Sequence, residues 1–240
     1  MKKFASFFAV FLFITLFAVA SEAGDRNIPV EVAQLTDSLK KRFAPDRRVA
    51  LLDVDYSFSD KNVMLRGVTT SAEAKNALLK ELARKGYAVM DCLELLPDVK
   101  GLEGKTCGII NVSVANMRVA PDFSSEMMTQ SLMGMPVRVL QRDGWVRIQT
   151  PDNYIAWVHR VGVHPVTEEE MAAWNKAEKI VVTAHYGFVY SEPNQTSQTV
   201  SDVVAGNRLK WEGNKGAFYK VTYPDGRRGY ISKSIAMPEK

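Results

Sequence analysis

Two cysteines in 240 residues cannot build a disulfide framework or a four-thiolate zinc site. Three histidines argue against a histidine-rich metal centre. The formal charge of +4 is mild, and the Lys and Arg are scattered among acids, so the basic footprint of a nucleic-acid binder is missing. Fifteen Gly and ten Pro are ordinary counts, which excludes collagen-like and low-complexity chains. Beyond the N-terminus no apolar run is long enough to span a bilayer. What is present, 46% hydrophobic and 24% charged residues, is the balance of a globular chain with room for two ordinary domains or three small ones.

The N-terminus reads as a targeting segment. Lys2 and Lys3 give a positive start, and Phe4 to Ala20 is interrupted only by Ser6 and Thr15. Ala18-Val-Ala20 and Ser21-Glu-Ala23 both fit the small-x-small pattern of a cleavage site. Residues 1–23 are therefore expected to be a cleaved secretory signal, with a short membrane anchor as the competing reading. No Cys follows either site, which argues against a lipoprotein. Loss of Lys2 and Lys3 would leave 29 basic residues against 26 or 27 acids, an exported and near-neutral chain, periplasmic or secreted. In an oxidising compartment Cys92 and Cys107 could pair; their separation permits this without arguing for it.

Residues 24–106 read as a small α+β domain. Val32, Leu35, Leu39 and Phe43 share one face of a helix expected from Ile28 to Phe43, with Pro29 in its first turn and Pro45 after its stop. Arg48 to Phe58 alternates as a strand, Ser59 to Asn62 reads as a turn, and Val63 to Val68 reads as a second strand. Thr70 and Glu73 suggest a capping box for a helix that Gly86 ends, and Tyr87 to Leu96 completes a third strand. This order resembles the small BON-type domain of exported bacterial proteins. The acids Asp53, Asp55, Asp91 and Glu94 invite an acid–base role, but solvent-facing positions on half-buried strands explain them better.

The second half contains a repeat. Trp145-Val-Arg-Ile-Gln-Thr-Pro-Asp152 matches Phe218-Tyr-Lys-Val-Thr-Tyr-Pro-Asp225 in residue type at every position, and Gly134-Met-Pro-Val137 faces Gly206-Asn-Arg-Leu209. Met117-Arg-Val-Ala-Pro121 likewise faces Phe188-Val-Tyr-Ser-Glu-Pro193. Each copy is about 60 residues of short strands with turn signals, the pattern of a small barrel or sandwich. Turns are expected at Arg142-Asp-Gly-Trp145, Pro151-Asp-Asn-Tyr154 and Pro224-Asp-Gly-Arg227. Between the copies, Thr167 and Glu170 form a capping box at the head of a linker helix, assigned to 166–179. The fold class expected is thus an α+β N-terminal domain followed by two all-β barrels, at 107–165 and 180–240, joined by a short helix.

Three stretches carry a resemblance to a known family. Gly108-Ile-Ile-Asn-Val-Ser-Val-Ala-Asn-Met-Arg118, Ser125-Glu-Met-Met-Thr-Gln-Ser-Leu-Met-Gly134 and Thr150-Pro-Asp-Asn-Tyr-Ile-Ala-Trp157 resemble the first bacterial SH3-like domain of NlpC-type cell-wall cysteine peptidases, the γ-D-glutamyl-L-diamino-acid endopeptidases or dipeptidyl-peptidase VI. Val200 to Gly206 and Tyr223 to Tyr230 resemble that family's second SH3-like domain. The similarity spans about residues 47–240. It implies two tandem bacterial SH3-like barrels, and a first barrel that reads the free amino end of an L-Ala-γ-D-Glu-diamino-acid peptide. By that resemblance the acid falls on Glu126 and the tyrosine on Tyr154. Arg118 is a candidate to orient a carboxylate, and Trp157, with Trp145, is a candidate wall of the groove. Each also has a plainer reading, as a surface acid, a core cap, an ion pair and core packing respectively.

The family's catalytic domain carries an Asp-Cys-Ser-Gly nucleophile motif after the second barrel, whereas this sequence closes at Met237-Pro-Glu-Lys240. Asp91-Cys92 imitates the first two letters, but it sits in an alternating strand without a helix N-terminus to activate the thiol. No enzymatic activity, catalytic residue, metal or cofactor is therefore expected of this chain. The expected role is an exported cell-wall-peptide recognition module, whose partners are a peptide with a free N-terminal L-Ala and an NlpC-type catalytic domain in cis or trans. No nucleic acid is expected as a partner, nor a membrane once the signal is cleaved. The competing roles are a periplasmic SH3-like scaffold for proteins, and a hydrolase of unfamiliar design using Cys92 or Cys107.

Overall fold

The computed structural model describes residues 29–239. The signal segment and the expected helix start at Ile28 lie outside the described residues. The chain divides into two compact units at Leu96/Pro97.

In the first unit, Pro29 is the extended cap of helix α1 (Val30–Phe43). The apolar stripe turns inward as expected, with Val32 and Leu39 buried and Leu35 and Phe43 packed at the edge of the core. Strand β1 (Leu52–Ser59) begins four residues later than its alternation suggests. The cause is local: the Asp46 carbonyl accepts the backbone N–H groups of Val49 and Ala50, which holds that stretch in a turn. Asp60, at positive φ, turns the chain into β2 (Asn62–Thr69), antiparallel to β1. Helix α2 (Ala72–Arg84) returns it to β3 (Ala88–Leu95), parallel to β2. Thr70 does not cap α2. Its hydroxyl accepts from Leu51 N at 3.0 Å, so the cap falls to Ser71, whose Oγ accepts from Ala74 N at 3.0 Å. Of the four acids, Asp91 is tied to Lys75 at 2.9 Å.

The second unit opens earlier than residue 107. Leu102 is buried in the first barrel's core, Asp98 N donates to Leu140 O, and Val139 N donates to Thr106 O. The barrel's strands are β4 (Cys107–Ile110), β5 (Val114–Arg118), β6 (Met127–Leu132), β7 (Pro136–Asp143), β8 (Trp145–Gln149), β9 (Ile155–His159) and β10 (Val163–Val166). Their spatial order is β10-β4-β7-β8-β9-β5-β6. Helix α3 (Glu168–Lys176) carries the expected capping box and buries Met171 and Trp174 against Ile109 and Val166. Then follow β11 (Lys179–Val182), β12 (Tyr186–Tyr190), β13 (Thr199–Val204), β14 (Arg208–Lys215), β15 (Phe218–Thr222), β16 (Arg228–Ser232) and β17 (Ala236–Pro238). Read from the other edge, their order β17-β11-β14-β15-β16-β12-β13 repeats that of the first barrel strand for strand. Even the bulges coincide: Val139/Gln141 corresponds to Trp211/Gly213, and Met117/Arg118 to Val189/Tyr190. The three expected turns form, with Gly144, Asn153 and Gly226 at positive φ.

The barrels share a polar seam. Asn207 Nδ2 donates to Ser113 O at 2.8 Å, Ser113 Oγ to Asp202 Oδ2 at 2.7 Å, Asn111 Nδ2 to Asp225 Oδ2 at 2.9 Å and Arg208 N to Met133 O at 2.9 Å. Met133 leaves its own barrel and is buried in the core of the second. Burial alone would raise the Asp225 carboxyl, but bonds from Asn111 and Arg227 outweigh it and hold it below its usual value.

Tyr223, 1% exposed, shares a 2.7 Å hydrogen bond with Ser201 Oγ. Burial pushes its phenol up to about 12. A raised folded-state value means that this group's stabilisation is complete below the unfolded phenol's value of about 10 and is lost as pH climbs through 12. Between those limits the second unit is expected to lose about 2–3 kcal/mol of stability. Tyr223→Phe should flatten that limb in denaturant titrations at stepped pH. Ser201 Oγ keeps a partner in the variant, the Asp202 carbonyl at 2.8 Å. An identical alkaline limb in wild type and variant would assign the loss to other groups.

Candidate functional site

The outer face of the first barrel is built from alternate residues. Ala156 and Val158 fill the core, so Trp157 and His159 face outward on β9. Cross-strand pairing sets Trp145 opposite His159, and sets both Arg147 and Arg118 opposite Trp157. The loop from Val119 to Glu126 lies over this face. Asp122 Oδ1 accepts from Ser124 N and Oγ, Ala120 N donates to Ser125 Oγ at 2.9 Å, and Arg118 Nη1 donates to Ser125 O at 2.5 Å. The Ser124 bonds, aided by the Arg118 charge, hold the Asp122 carboxyl below its ordinary value. The loop thereby lays the Phe123 ring on Trp145 and His159, with centroids 4.8 and 5.1 Å apart, although the ring remains 66% exposed. Beside these rings runs a groove of about 190 Å³, flanked also by Asn116, Arg118 and Val161.

Of the four expected site residues, Arg118 and Trp157 lie on this sheet, Glu126 and Tyr154 lie in the loop and turn beside it, and only Arg118 lines the groove. Glu126 is exposed, and its backbone carbonyl accepts from Val119 N at 3.0 Å. Arg118 and Trp157 are direct cross-strand partners. Tyr154 is half-buried in the turn leading into β9, where Thr150 holds its backbone at both N and O. The register brings the backbones of all four toward one end of the β9–β5–β6 sheet. Trp157 is 8% exposed, with the Arg147 guanidinium 4.5 Å from its ring, so little of the indole is open to a ligand. Arg118 spends one donor on its own loop and lines the groove with the remainder.

Sequence reasoning passed over Phe123, Asn116 and His159. Phe123 had a readable signal, a large ring set among the turn formers Pro121, Asp122, Ser124 and Ser125. Asn116 and His159 had none, because only strand pairing turns them toward the groove.

The two thiols are free. Cys107 sits on β4 beside a cleft it shares with Arg138 and Met171, and burial, then the Glu168 charge, pushes its thiol up, away from nucleophilic use at neutral pH. Cys92 is exposed on β3. Among the described residues no group of three or more His, Cys, Asp or Glu is arranged to hold a metal, and no helix is long and apolar enough to cross a membrane.

Comparison with known proteins agrees with the tandem-barrel architecture. Residues 117–161 match the bacterial dipeptidyl-peptidase Sh3 domain, a stretch that contains Arg118, Glu126, Tyr154 and Trp157. Residues 185–235 match the bacterial SH3 domain. The chain therefore carries two bacterial SH3 domains in tandem, the first of dipeptidyl-peptidase type. No curated protein matches the chain. Among solved structures, it is similar to an NlpC/P60 family protein from Bacillus cereus, with 19% identity over 56% of each chain and a TM-score of 0.47. It is also similar to an NlpC/P60 endopeptidase from Photobacterium damselae subsp. piscicida, with 15% identity over 59% of this chain and 35% of that one and a TM-score of 0.43. The matched region thus spans about half of the first of these proteins and a third of the second.

Proposed function

We propose that this chain is the exported, non-catalytic recognition part of an NlpC-type cell-wall peptidase, with the cutting group supplied by a catalytic domain in cis or in trans. The first barrel receives the free ammonium of an L-Ala-γ-D-Glu-diamino-acid peptide through the Glu126 carboxylate, and the Tyr154 hydroxyl serves as a second partner. A carboxylate and a phenol are suited to form charge-assisted hydrogen bonds to an ammonium.

One observation carries this reading. The loop that bears Glu126 is built twice. In the second barrel Ser191 N donates to Gln198 O, Glu192 N to Ser197 Oγ, and Thr196 N to Asn194 Oδ1, the counterparts of the bonds around Val119, Ala120 and Ser124. The loop scaffold therefore needs the Pro, the Asx residue and the Ser. It closes equally well with Gln195 and Gln198 where the first copy has Phe123 and Glu126. An exposed acid and an exposed ring that the loop itself does not need are free to serve a ligand.

Calorimetric titration of the full chain with L-Ala-γ-D-Glu-diamino-acid peptide tests this. Wild type is expected to bind, and Glu126→Gln to lose on the order of tenfold or more in affinity. Tyr154→Phe should lose less, and N-acetylation of the peptide should abolish binding. Absence of heat at millimolar peptide, or equal affinity for the acetylated peptide, would reject the ammonium site and leave the scaffold role.

A further inference from the structure

The helices of the first unit pack on one face of its sheet, where Val63, Leu65 and Leu93 join Leu39, Leu78 and Leu82 in the core. Alternation therefore sets Met64 on β2, and Met90 and Cys92 on β3, on the opposite face. Parallel pairing places Met64 directly beside Met90, and Arg66 directly beside Cys92. Adjacent strands lie about 4.8 Å apart and alternate residues of one strand about 6.6 Å apart, so three sulfur-bearing side chains rise from one small patch of sheet. None of the three belongs to the hydrophobic core of the unit. Met64 is 7% exposed, Met90 is half-buried and Cys92 is an exposed free thiol, so the patch is closed at one end and open at the other.

We infer that Met64, Met90 and Cys92 bind a soft monovalent metal ion of the Cu(I) class. Thiolate and thioether sulfur are the donors that select such an ion, and the unbranched Met side chains have the reach and freedom to converge on an ion held by the shorter Cys92. A thiolate and a monovalent cation make a neutral pair, which suits a half-buried place better than a dication would. Zinc prefers thiolate, imidazole and carboxylate to thioether, and among the described residues no group of three or more His, Cys, Asp or Glu is arranged to take it. The charge on this face does not repel a cation. Arg66 is set between Asp55 on β1 and Cys92 on β3, while Asp53 and Glu94 share the face with it, so these strands bring one cation there against three acids. The other thiol offers less. Cys107 shares its cleft with Met171 alone among sulfur donors, and burial pushes that thiol up, away from the thiolate a metal needs.

This site lies in the first unit and does not depend on the peptide reading. The test uses the full chain under ascorbate, with Cu(I) delivered in competition with the chelator bicinchoninate. Ag(I) serves as a second soft probe that does not change oxidation state. The protein is expected to draw one equivalent of copper from the chelator, and X-ray absorption at the copper edge should show sulfur neighbours only. Cys92→Ser, Met90→Leu and Met64→Leu should each weaken binding about tenfold or more, leucine being a volume-conserving replacement for methionine. Cys107→Ser should leave binding unchanged, and Zn(II) should not displace the ion. Thermal unfolding verifies the fold of each variant, and Met90→Leu, at the half-buried position, carries the test if Met64→Leu does not fold. Peptide affinity should be the same in Cys92→Ser as in wild type, so the two readings fail separately. The inference is overturned if the chelator keeps the copper, if Cys92→Ser binds like wild type, if Met90→Leu binds like wild type and leaves a lone thiolate as the ligand, if Cys107→Ser removes the ion, or if Zn(II) displaces it.

Discussion

Replacing Gly134 by alanine is expected to cost the tandem-barrel unit about 3–5 kcal/mol. Gly134 has a φ of +86°, where an L side chain is strained by about 1–2 kcal/mol. The larger share comes from space. A Cβ at this position would lie 2.4 Å from the backbone oxygen of Arg208 and 2.7 Å from its Cβ, atoms that cannot swing away. Relief requires the two barrels to separate at the seam. That would break the Arg208 N to Met133 O bond, disturb the Trp174 Nε1 bond to Gly134 O at 3.2 Å, and draw Met133 out of the second core. Gly144 is the control within the same unit: its φ is +64°, but no atom lies within 4 Å of its would-be Cβ. Gly144→Ala should therefore cost only the backbone strain, about 1–2 kcal/mol. Denaturant unfolding of both variants separates the terms, and equal losses would mean that the close approach at the seam contributes nothing.

The second large effect is expected at Asn207, whose side chain is fully buried. Its Oδ1 accepts from Val204 N at 3.0 Å and its Nδ2 donates to Ser113 O at 2.8 Å, so one amide caps its own turn and joins the neighbouring barrel. Leucine keeps the branched skeleton but removes both bonds, leaving the part-buried Val204 N–H without this acceptor and the Ser113 carbonyl with only the 3.4 Å bond from Met133 N, a loss of about 1–3 kcal/mol. The turn itself does not need the amide. Met135 holds the same place in the first barrel with the same backbone bonds, from Met135 N to Leu132 O and from Ile110 N to Met135 O. Asn207→Asp sharpens the test. A carboxylate would face the Ser113 carbonyl at neutral pH, so this variant should fall below Asn207→Leu there and recover in acid as the new carboxyl takes up a proton. Stability curves for the two variants that run parallel across pH would refute a donor role for the amide.

Much of the architecture was legible because it is local. Thr167 and Glu170 announce α3, Asp143-Gly144 and Asp225-Gly226 announce hairpins, and alternation marks the strands, since each signal needs only neighbours along the chain. The cap of α2 was misplaced by one residue for the opposite reason. Thr70 and Ser71 are equivalent in sequence, and only the distant Leu51 amide takes Thr70 out of contention. The segment from Pro97 to Thr106 looked like the tail of the first domain until the docking of Leu102 and the β7 bonds assigned it to the barrel. At the candidate site, Glu126 and Tyr154 could be named from motif resemblance, but Phe123, Asn116 and His159 could be grouped only once the strands were paired.

The sequence by itself determined that a small α+β unit is followed along the chain by a doubled barrel. The repeat, its turn residues and its alternation each impose a local conformation, and the same pattern written twice folds the same way twice. Only the tertiary structure decided what distinguishes the copies: which faces are aromatic, which acids are already engaged, and how Gly134 and Asn207 lock one barrel to the other. Those properties depend on groups brought together from as far apart as Ser113 and Asn207, and no pattern along a chain encodes a contact between positions that meet only after both barrels have formed.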